Sequence, residues 1–447
     1  MEDIREQEIK FKKLTDKILN QALDLGATEA QVSMTYGLGQ SAEVRLGEVD
    51  TVEHYLDQDC SLAVFVGKKR GVASTSDLSD AGIKQALSAA IKIAEYTQED
   101  PCSGLPDKKN LASLENRTRD LSLYYLADWD TEKLINRAQE CEKIGMNLDS
   151  RIDNSDGASA SYYLALNILG NTNGFLESVS SSRYSFDCTL IAEEDGKMQR
   201  EGSYSSARDS NDLWSIEKVA KEASEQVIAR LGARRIPTQT TPVIFRYDAA
   251  RSLISHYLNA VSGGSLYRRQ SFLLDSLGAK IFPDFFEISE DPFIPKALAS
   301  TPFDSEGCEV FARNLVEAGR VKSYLLSTYA GRKLNLPSTG HAGGSHNIFV
   351  KSTGENLKAL LKKMNKGLLV TDLIGQGVNL ITGDYSRGAS GFWVEDGEIK
   401  FPVEEITIAS HLKTMFQEIH AVGNDADERS SLHCGSIWIP EMRVAGE

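Results

Sequence analysis

Histidine and cysteine are the side chains of this sequence that could hold a metal ion or act as nucleophiles. His341 and His346 lie in the glycine-rich segment STGHAGGSHNIF. Two imidazoles on one loop can bind a metal when a third ligand comes from elsewhere, and His433 or Cys434 could supply it. The opposing interpretation is a loop whose histidines bond to nearby backbone, and the lack of an adjacent acidic residue favours it. We therefore predict that this loop is structural.

His433 and Cys434 could also form a nucleophile pair. Adjacent residues of a strand point to opposite faces, so their side chains would not meet. We predict that Cys434 is a buried thiol.

A second place for chemistry is the segment LISHYLNAVSGG, residues 253–264, which has the pattern of a short apolar helix before a double glycine. A zinc-protease helix of the H-E-x-x-H type carries two imidazoles about one turn apart and a glutamate after the first. Here His256 is followed by tyrosine, and alanine stands at position 260. The segment fails the zinc pattern, and we predict a core or interface histidine whose hydrogen bonds are satisfied.

The densest polar and aromatic stretch is TGDYSRGASGFW, residues 382–393. Asp384, Tyr385 and Arg387 could line a peptide-binding groove. Equally, Asp384 and Arg387 could form an ion pair within a turn. The sequence contains no GxxxxGK[ST] phosphate loop, no dinucleotide fingerprint and no GxSxG serine elbow.

Composition excludes two classes of partner. The net charge of −15 argues against a nucleic-acid surface, which needs Lys and Arg to neutralise phosphates. No apolar run reaches the roughly 18 residues of a membrane span, and the polar N-terminus is not a signal peptide. The six cysteines form no CxxC pair, as is usual in a reducing compartment. We therefore predict a cytoplasmic protein that binds neither nucleic acid nor membrane.

The elements that must position these residues are predicted from periodicity and capping. The polar segment GARRIPTQTTP, residues 232–242, contains two prolines and is predicted to link an N-terminal domain, 1–231, to a C-terminal domain, 243–447. The predicted class is α+β. The N-terminal α/β domain has an antiparallel or mixed sheet, and the C-terminal domain is β-rich and barrel-like with a packed helix. The predicted helices are 4–25, 79–96, 131–146, 216–231, 248–261, 355–364 and 410–419, and strands of the second half include 324–330 and 377–385.

Several longer segments together resemble the PmbA/TldD family, and specifically its PmbA (TldE) branch. They are SGGSLYRRQSFLLDSLG, LASTPFDSEG, STGHAGG, LIGQGVNLITGDYSRGASGFWVEDGEIKFPVEEITIA, VGND and CGSIWIPEMRVAG. Members of this family have been described as modulators of DNA gyrase and linked to peptide maturation. The resemblance implies a two-domain fold and a heterodimer with a TldD-type metalloprotease. The helix of that partner carries H-E-x-x-x-H before a glycine, and a cysteine near its C-terminus completes the metal site.

Aligning Gly263 with that glycine places the three motif residues at Ile254, Ser255 and Asn259. Isoleucine cannot ligate zinc, serine cannot replace the general base, and asparagine is a poor ligand. Only Cys434 matches a ligand position. A catalytic zinc needs about three protein ligands plus water. The resemblance therefore implies no catalytic residue, no metal and no cofactor in this chain, with zinc in the TldD-type partner.

These observations predict a non-catalytic accessory subunit of a TldD/TldE-type heterodimeric metalloprotease that acts on small or unfolded peptides. The isolated chain could form a homodimer. Two alternatives stay open: an independent metallohydrolase that uses His341, His346 and Cys434, or a gyrase-associated regulatory binding protein. Aromatic and apolar strand residues could face the partner or fill the chain's own core; they are Phe392, Trp393, Ile437 and Trp438.

Overall fold

Six long strands form the base of the N-terminal half. The computed structural model describes residues 3–446. Short 3₁₀ turns at Ile4–Gln7, Lys108–Asn110 and Ser210–Asp212 accompany the regular elements. These elements are α1 (Glu8–Asp24), β1 (Glu29–Arg45), β2 (Glu48–Val66), β3 (Lys69–Thr75), α2 (Asp80–Tyr96), α3 (Leu114–Arg117), α4 (Thr131–Met146), β4 (Asn154–Asn171), β5 (Phe175–Glu194), β6 (Lys197–Ala207) and α5 (Ile216–Ala229).

The six strands form one sheet in the order β3-β2-β1-β4-β5-β6, and every pairing is antiparallel. Side chains alternate between faces along each strand. The inward set of β1, which includes Val32, Met34 and Tyr36, packs under α1 and α4, whereas α2 covers β2 and β3 and α5 covers β5 and β6. The prediction of an antiparallel α+β domain is confirmed.

The C-terminal half contains more and shorter elements. They are β7 (Gln239–Phe245), α6 (Tyr247–Ala260), α7 (Gly263–Tyr267), β8 (Ile288–Asp291), β9 (Arg313–Glu317), β10 (Arg320–Val321), α8 (Thr328–Leu334), β11 (Asn347–Val350), α9 (Leu357–Met364), β12 (Gly367–Ile374), β13 (Asp384–Glu395), β14 (Glu398–His411), α10 (Leu412–Gln417), β15 (Ala421–Val422), β16 (Leu432–His433) and β17 (Ile437–Ala445).

Five of these strands close into a barrel in the order β7, β12, β13, β14 and β17, because β14 pairs with β17 and β17 pairs back with β7. Only the β7–β12 pair within this barrel is parallel. Closure requires local bending, which a register shift in β13 between Ala389 and Gly391 supplies. A Cβ on Gly391 would lie 1.9 Å from the carbonyl oxygen of Leu369, so glycine is required at this bend. The predicted barrel-like domain is confirmed.

Helix α6 packs against β7 and β12 of the barrel, and Leu253, Ile254 and Tyr257 form its buried face. The double glycine that follows it has a packing role. A Cβ on Gly263 would lie 2.4 Å from the Cβ of Ala330, so glycine allows α7 to approach α8 closely. The predicted packed helix is therefore present.

A second sheet, in the order β10-β9-β8-β11-β16, lies beside the barrel. Its β11–β16 pair is parallel and brings the segment before Cys434 next to residues 347–350. This sheet carries the polar cluster described below.

Two strand predictions are wrong. Residues 324–330 include the start of α8, because the side chain of Ser327 caps the helix by accepting from the N–H of Ala330. Residues 377–385 form turns up to β13, and the side chain of Asn379 accepts from the N–H of Ile381.

The predicted linker, 232–242, overlaps β7, since that strand begins at Gln239 and Thr241 pairs with Met442 of β17. Within residues 3–446, no helix has both the length and the apolar character needed to cross a bilayer.

Candidate functional site

A polar groove of about 410 Å³ runs along α6, beside the 345–346 loop and residues 430–432. Ser255 and Asn259 of α6 line it, whereas Ile254 is 0% exposed and lies in the barrel-side core. This division follows from helical geometry, because residues on opposite sides of an amphipathic helix face core and solvent. Two of the three positions that would hold motif residues in a TldD-type helix therefore face one groove.

These positions do not fit a zinc ion. Ile254 offers no donor atom, and Ser255 and Asn259 offer neutral oxygens in place of a carboxylate and an imidazole, respectively. Cys434 is buried in the same core cluster as Ile254, and its thiol donates to the carbonyl of Gly435 at 3.2 Å. Burial raises the pKa of this thiol far above its usual value, which keeps it protonated. The prediction of a buried thiol is confirmed.

Glu290 stands at the centre of a buried cluster with the two loop histidines. Its Oε2 lies 2.8 Å from Nε2 of His341, and its Oε1 lies 2.9 Å from Nδ1 of His346. The backbone N–H of His346 also donates to Oε1 at 2.8 Å. The Nδ1 of His341 lies 2.8 Å from the hydroxyl of Thr339, and the guanidinium of Arg313 is 4.0 Å from Oε2. The carboxylate is thus bonded by three nitrogens inside the protein.

The backbone explains how the loop reaches the carboxylate. Gly340, Gly343 and Gly344 have φ of 72°, 105° and 124°, a region that other residues rarely occupy. A Cβ on Gly340 would also lie 2.3 Å from the carbonyl oxygen of Glu309. These glycines let the loop fold back so that both imidazoles face β8.

Electrostatics favour a charged Glu290. Burial alone would raise the pKa of this carboxyl, but the hydrogen bonds from His341 and His346 hold it well below its usual range. Burial lowers the pKa of His341, against the attraction of the carboxylate. These buried hydrogen bonds make the cluster a rigid support for the loop.

Glu290, His341 and His346 have donor types found in metal sites, and their ligand atoms lie within 4.8 Å of one another. The nitrogens and oxygens that face each other are, however, already within hydrogen-bonding distance. Cys434 is not part of this group in the described chain, so the predicted ligand set of two histidines and Cys434 is not brought together. The thiol lies in the core around the barrel instead.

Sequence reasoning missed Glu290, because it lies 51 residues before His341. One sequence signal for Glu290 was available. Ile288 and Glu290 are two residues apart and therefore share the inward face of β8, and a carboxylate at an inward strand position requires buried partners.

Of the three residues in the stretch 382–393 that were predicted to line a groove, Tyr385 is buried away from any such surface. Tyr385 is 1% exposed, and its ring lies in the barrel core 6.5 Å from that of Phe245, so it cannot contact a bound peptide. Asp384 is exposed and accepts from the hydroxyl of Thr382 at 2.6 Å. Arg387 donates to the carbonyl of Leu373 at 3.1 Å.

The alternative prediction of an Asp384–Arg387 ion pair is also wrong for the described chain, because three residues along an extended strand place two side chains on opposite faces. A role for Asp384 and Arg387 in peptide binding stays a prediction.

His256 differs from its prediction in one respect. It lies against the core, with its ring 6.2 Å from that of Tyr385, but its Nε2 is buried without a hydrogen-bond partner. The hydroxyl of Tyr385 is also buried without a partner. Burial lowers the pKa of His256 to about 4. The prediction that His256 packs against the core is right, but the prediction that its hydrogen bonds are all made is wrong, because Nε2 has no partner.

The aromatic strand residues belong to the chain's own core. Ile437 and Trp393 are buried, and Phe392 and Trp438 pack against a small cluster under α9. The core interpretation is confirmed for Trp393 and Ile437, whereas Phe392 and Trp438 are partly exposed and their contact with a partner stays a prediction.

Comparison with known proteins agrees with this fold. Models of the PmbA/TldA metallopeptidase match in three parts: domain 1 at residues 30–94, the central domain at 124–231 and the C-terminal domain at 238–446. The fold and these matches define a chain of metallopeptidase architecture. The chain belongs to the PmbA/TldD family.

Individual relatives cover almost the whole chain. It is 44% identical over 445 residues to a metalloprotease PmbA homolog of Haemophilus influenzae, covering 99% of this chain and 98% of that protein. It is 42% identical over 439 residues to metalloprotease PmbA of Escherichia coli O157:H7, covering 98% and 97%.

Solved structures share the fold. The crystal structure of a proposed modulator of DNA gyrase from Bacteroides thetaiotaomicron has a TM-score of 0.92 at 26% identity, covering 98% of this chain and 99% of that one. TldE from Thermococcus kodakarensis has a TM-score of 0.82 at 18% identity, covering 97% and 100%. The latter likeness concerns the fold alone.

The buried His256 makes stability depend on pH. The unfolded chain binds a proton at this residue below about pH 6.5, whereas the folded chain does so only below about pH 4. Stability therefore falls as pH drops through this window. Allowing for screening by solvent, we expect wild type to lose about 1–2 kcal/mol more than His256→Leu between pH 7 and 4, measured by urea unfolding. Equal slopes for the two proteins would contradict the assignment.

The Glu290 cluster is predicted to support the fold rather than hold a metal. Replacing both His341 and His346 with glutamine should lower the free energy of unfolding by about 1–3 kcal/mol, because a buried carboxylate loses bonds. Metal content should not change. A Glu290→Gln background is the matched control, and there the same double substitution should cost less. Loss of a bound metal from a folded double variant would instead favour the metallohydrolase.

Proposed function

We propose that this chain is the non-catalytic subunit of a TldD/TldE-type heterodimeric metalloprotease that acts on small or unfolded peptides. The observation that carries the proposal is the groove on α6. Ser255 and Asn259 line it and Ile254 lies behind it, and the resemblance to a TldD-type helix puts these three non-ligating residues where ligands and base would be needed. A zinc-dependent step on this chain lacks its ligands. Zinc and the hydrolytic step belong to the TldD-type partner in this proposal.

Capture of peptides as added strands is supported by the edge of the N-terminal sheet. Strand β3 pairs with β2 only at residues 60–66. In the described structure, residues 48–59 of β2 therefore pair with β1 on one side and with no strand on the other. Main-chain groups along a free edge bind extended peptides with little sequence preference. This suits substrates of varied sequence.

Two further properties belong to the proposal. The heterodimer with a TldD-type chain rests on the resemblance of the sequence to the PmbA (TldE) branch of the family. All six cysteines are free, as is usual in the cytoplasm, where we place the complex. The acidic net charge disfavours DNA as a partner.

The first test is metal content and activity. We expect the purified chain to carry far less than one zinc per molecule and to cleave no unfolded peptide, because the α6 positions offer no zinc ligands. Elemental analysis and a peptidase assay on casein fragments measure this, with a TldD-type protein as positive control. One tightly bound zinc per chain, together with chelator-sensitive cleavage, would refute the proposal.

The second test is assembly. Co-expression with a TldD-type protein from the same genome should yield one complex on size-exclusion chromatography, and the partner's cleavage of unfolded peptide should require this chain. An obligate interface of this kind buries roughly 2,000 Å² or more. Each chain expressed alone is the control, and it also shows whether this chain forms a homodimer. Separate elution at micromolar concentration, with full partner activity, would contradict the accessory role.

A further inference from the structure

The α6 groove contrasts with the acidic surface of the rest of the chain. Its lining supplies one guanidinium, one imidazole, several serine hydroxyls and an asparagine amide, and it contains no carboxylate. The whole chain has a net charge of −15. A cavity that offers hydrogen-bond donors and a cation, without an acidic group, is suited to a negatively charged ligand.

His346 is built into this groove. The residue is 6% exposed, and Glu290 accepts from its Nδ1 at 2.9 Å. A carboxylate only accepts hydrogen bonds, so Nδ1 carries a hydrogen, and in the tautomer with one N–H the lone pair lies on Nε2. Within residues 3–446, Nε2 makes no hydrogen bond and is not among the fully enclosed unpartnered atoms. The imidazole therefore presents an oriented, unpartnered acceptor to the groove.

Arg251 supplies the positive charge. Its Nη1 lies 3.6 Å from Oδ2 of Asp427, longer than a hydrogen bond, and the side chain is 21% exposed. Asp427 is bonded more closely by Arg429, whose Nε is 2.9 Å from Oδ1. The guanidinium is thus held in place at the groove with donors left for a second anion.

We infer that this groove binds the C-terminal end of a short peptide. The terminal residue of a peptide carries a carboxylate for Arg251 and the hydroxyl and amide donors, next to a main-chain N–H for Nε2 of His346. An acidic side chain could supply the same carboxylate, and the experiment separates the two sources. The inference deepens the proposed function by naming what this subunit holds. It is tested on the chain alone, so its failure is distinguishable from failure of assembly or cleavage.

Binding is measured on the full chain by fluorescence anisotropy of N-terminally labelled tetra-alanine, as the free acid and as the C-terminal amide. We expect the free acid to bind at least about tenfold more tightly, because a charge-assisted contact is lost on amidation. A third peptide, Ala-Glu-Ala-Ala amide, tests the side-chain source. If it binds as tightly as the free acid, the carboxylate site stands and accepts acidic side chains.

A matched pair of variants isolates charge. Ser255→Glu should abolish the preference for the free acid by repulsion, while Ser255→Gln, of nearly the same size, should keep it. Arg251→Gln should also bring the free acid to the level of the amide.

One further variant concerns the imidazole. His346→Asn keeps a donor near the position of Nδ1 but removes the groove-facing nitrogen, so affinity should fall for acid and amide alike. Circular dichroism and urea unfolding confirm that each variant is folded. Equal binding of acid and amide to wild type, or an unchanged preference in folded Ser255→Glu, would overturn the inference.

Discussion

The buried carboxylate of Glu290 is the constraint on which the site depends. Moving a charge out of water costs several kcal/mol unless hydrogen bonds and opposite charges replace the lost solvation. The 340–346 loop supplies hydrogen bonds from two imidazoles and one main-chain N–H, and it must adopt left-handed backbone at its glycines to do so. The same contact fixes which nitrogen of His346 faces the groove. One desolvated charge therefore sets the loop shape, the ring orientation and the chemistry of the cavity wall.

Barrel closure is the second constraint. The pairing of β14 with β17 closes the barrel and fixes its dimensions. One face of α6 must therefore pack against strands β7 and β12. Ile254 lies on that face, so the position that would hold a metal ligand in a TldD-type helix contributes apolar burial here instead. Ser255 and Asn259 turn to the groove. The fold thus accommodates an apolar residue and two neutral polar residues at these helix positions while keeping the helix and its cavity.

Most of the fold was predictable because its signals are local. The caps at Ser79, Asp130 and Ser215 begin α2, α4 and α5 where periodicity placed them, since capping and amphipathicity act within a few residues. The candidate site was less predictable. Glu290 meets its histidines only through the β8–β11 pairing, which no local pattern specifies. The burial of Tyr385 could have been predicted locally, because adjacent strand residues face opposite sides and Asp384 faces solvent.

Polar atoms without hydrogen-bond partners occur in two settings in the C-terminal half: inside the core and at the wall of the groove. His256 and Tyr385 each keep one buried polar atom unbonded, and this costs stability with no access to a ligand from the groove. The groove-facing nitrogen of His346 is different, because it borders a cavity that can admit a partner. Water can bond to any single polar group at an open wall, so the case for a ligand rests on the combination of groups in the groove. Its oriented acceptor, its partly free guanidinium and its lack of acid together fit ligand binding better than packing.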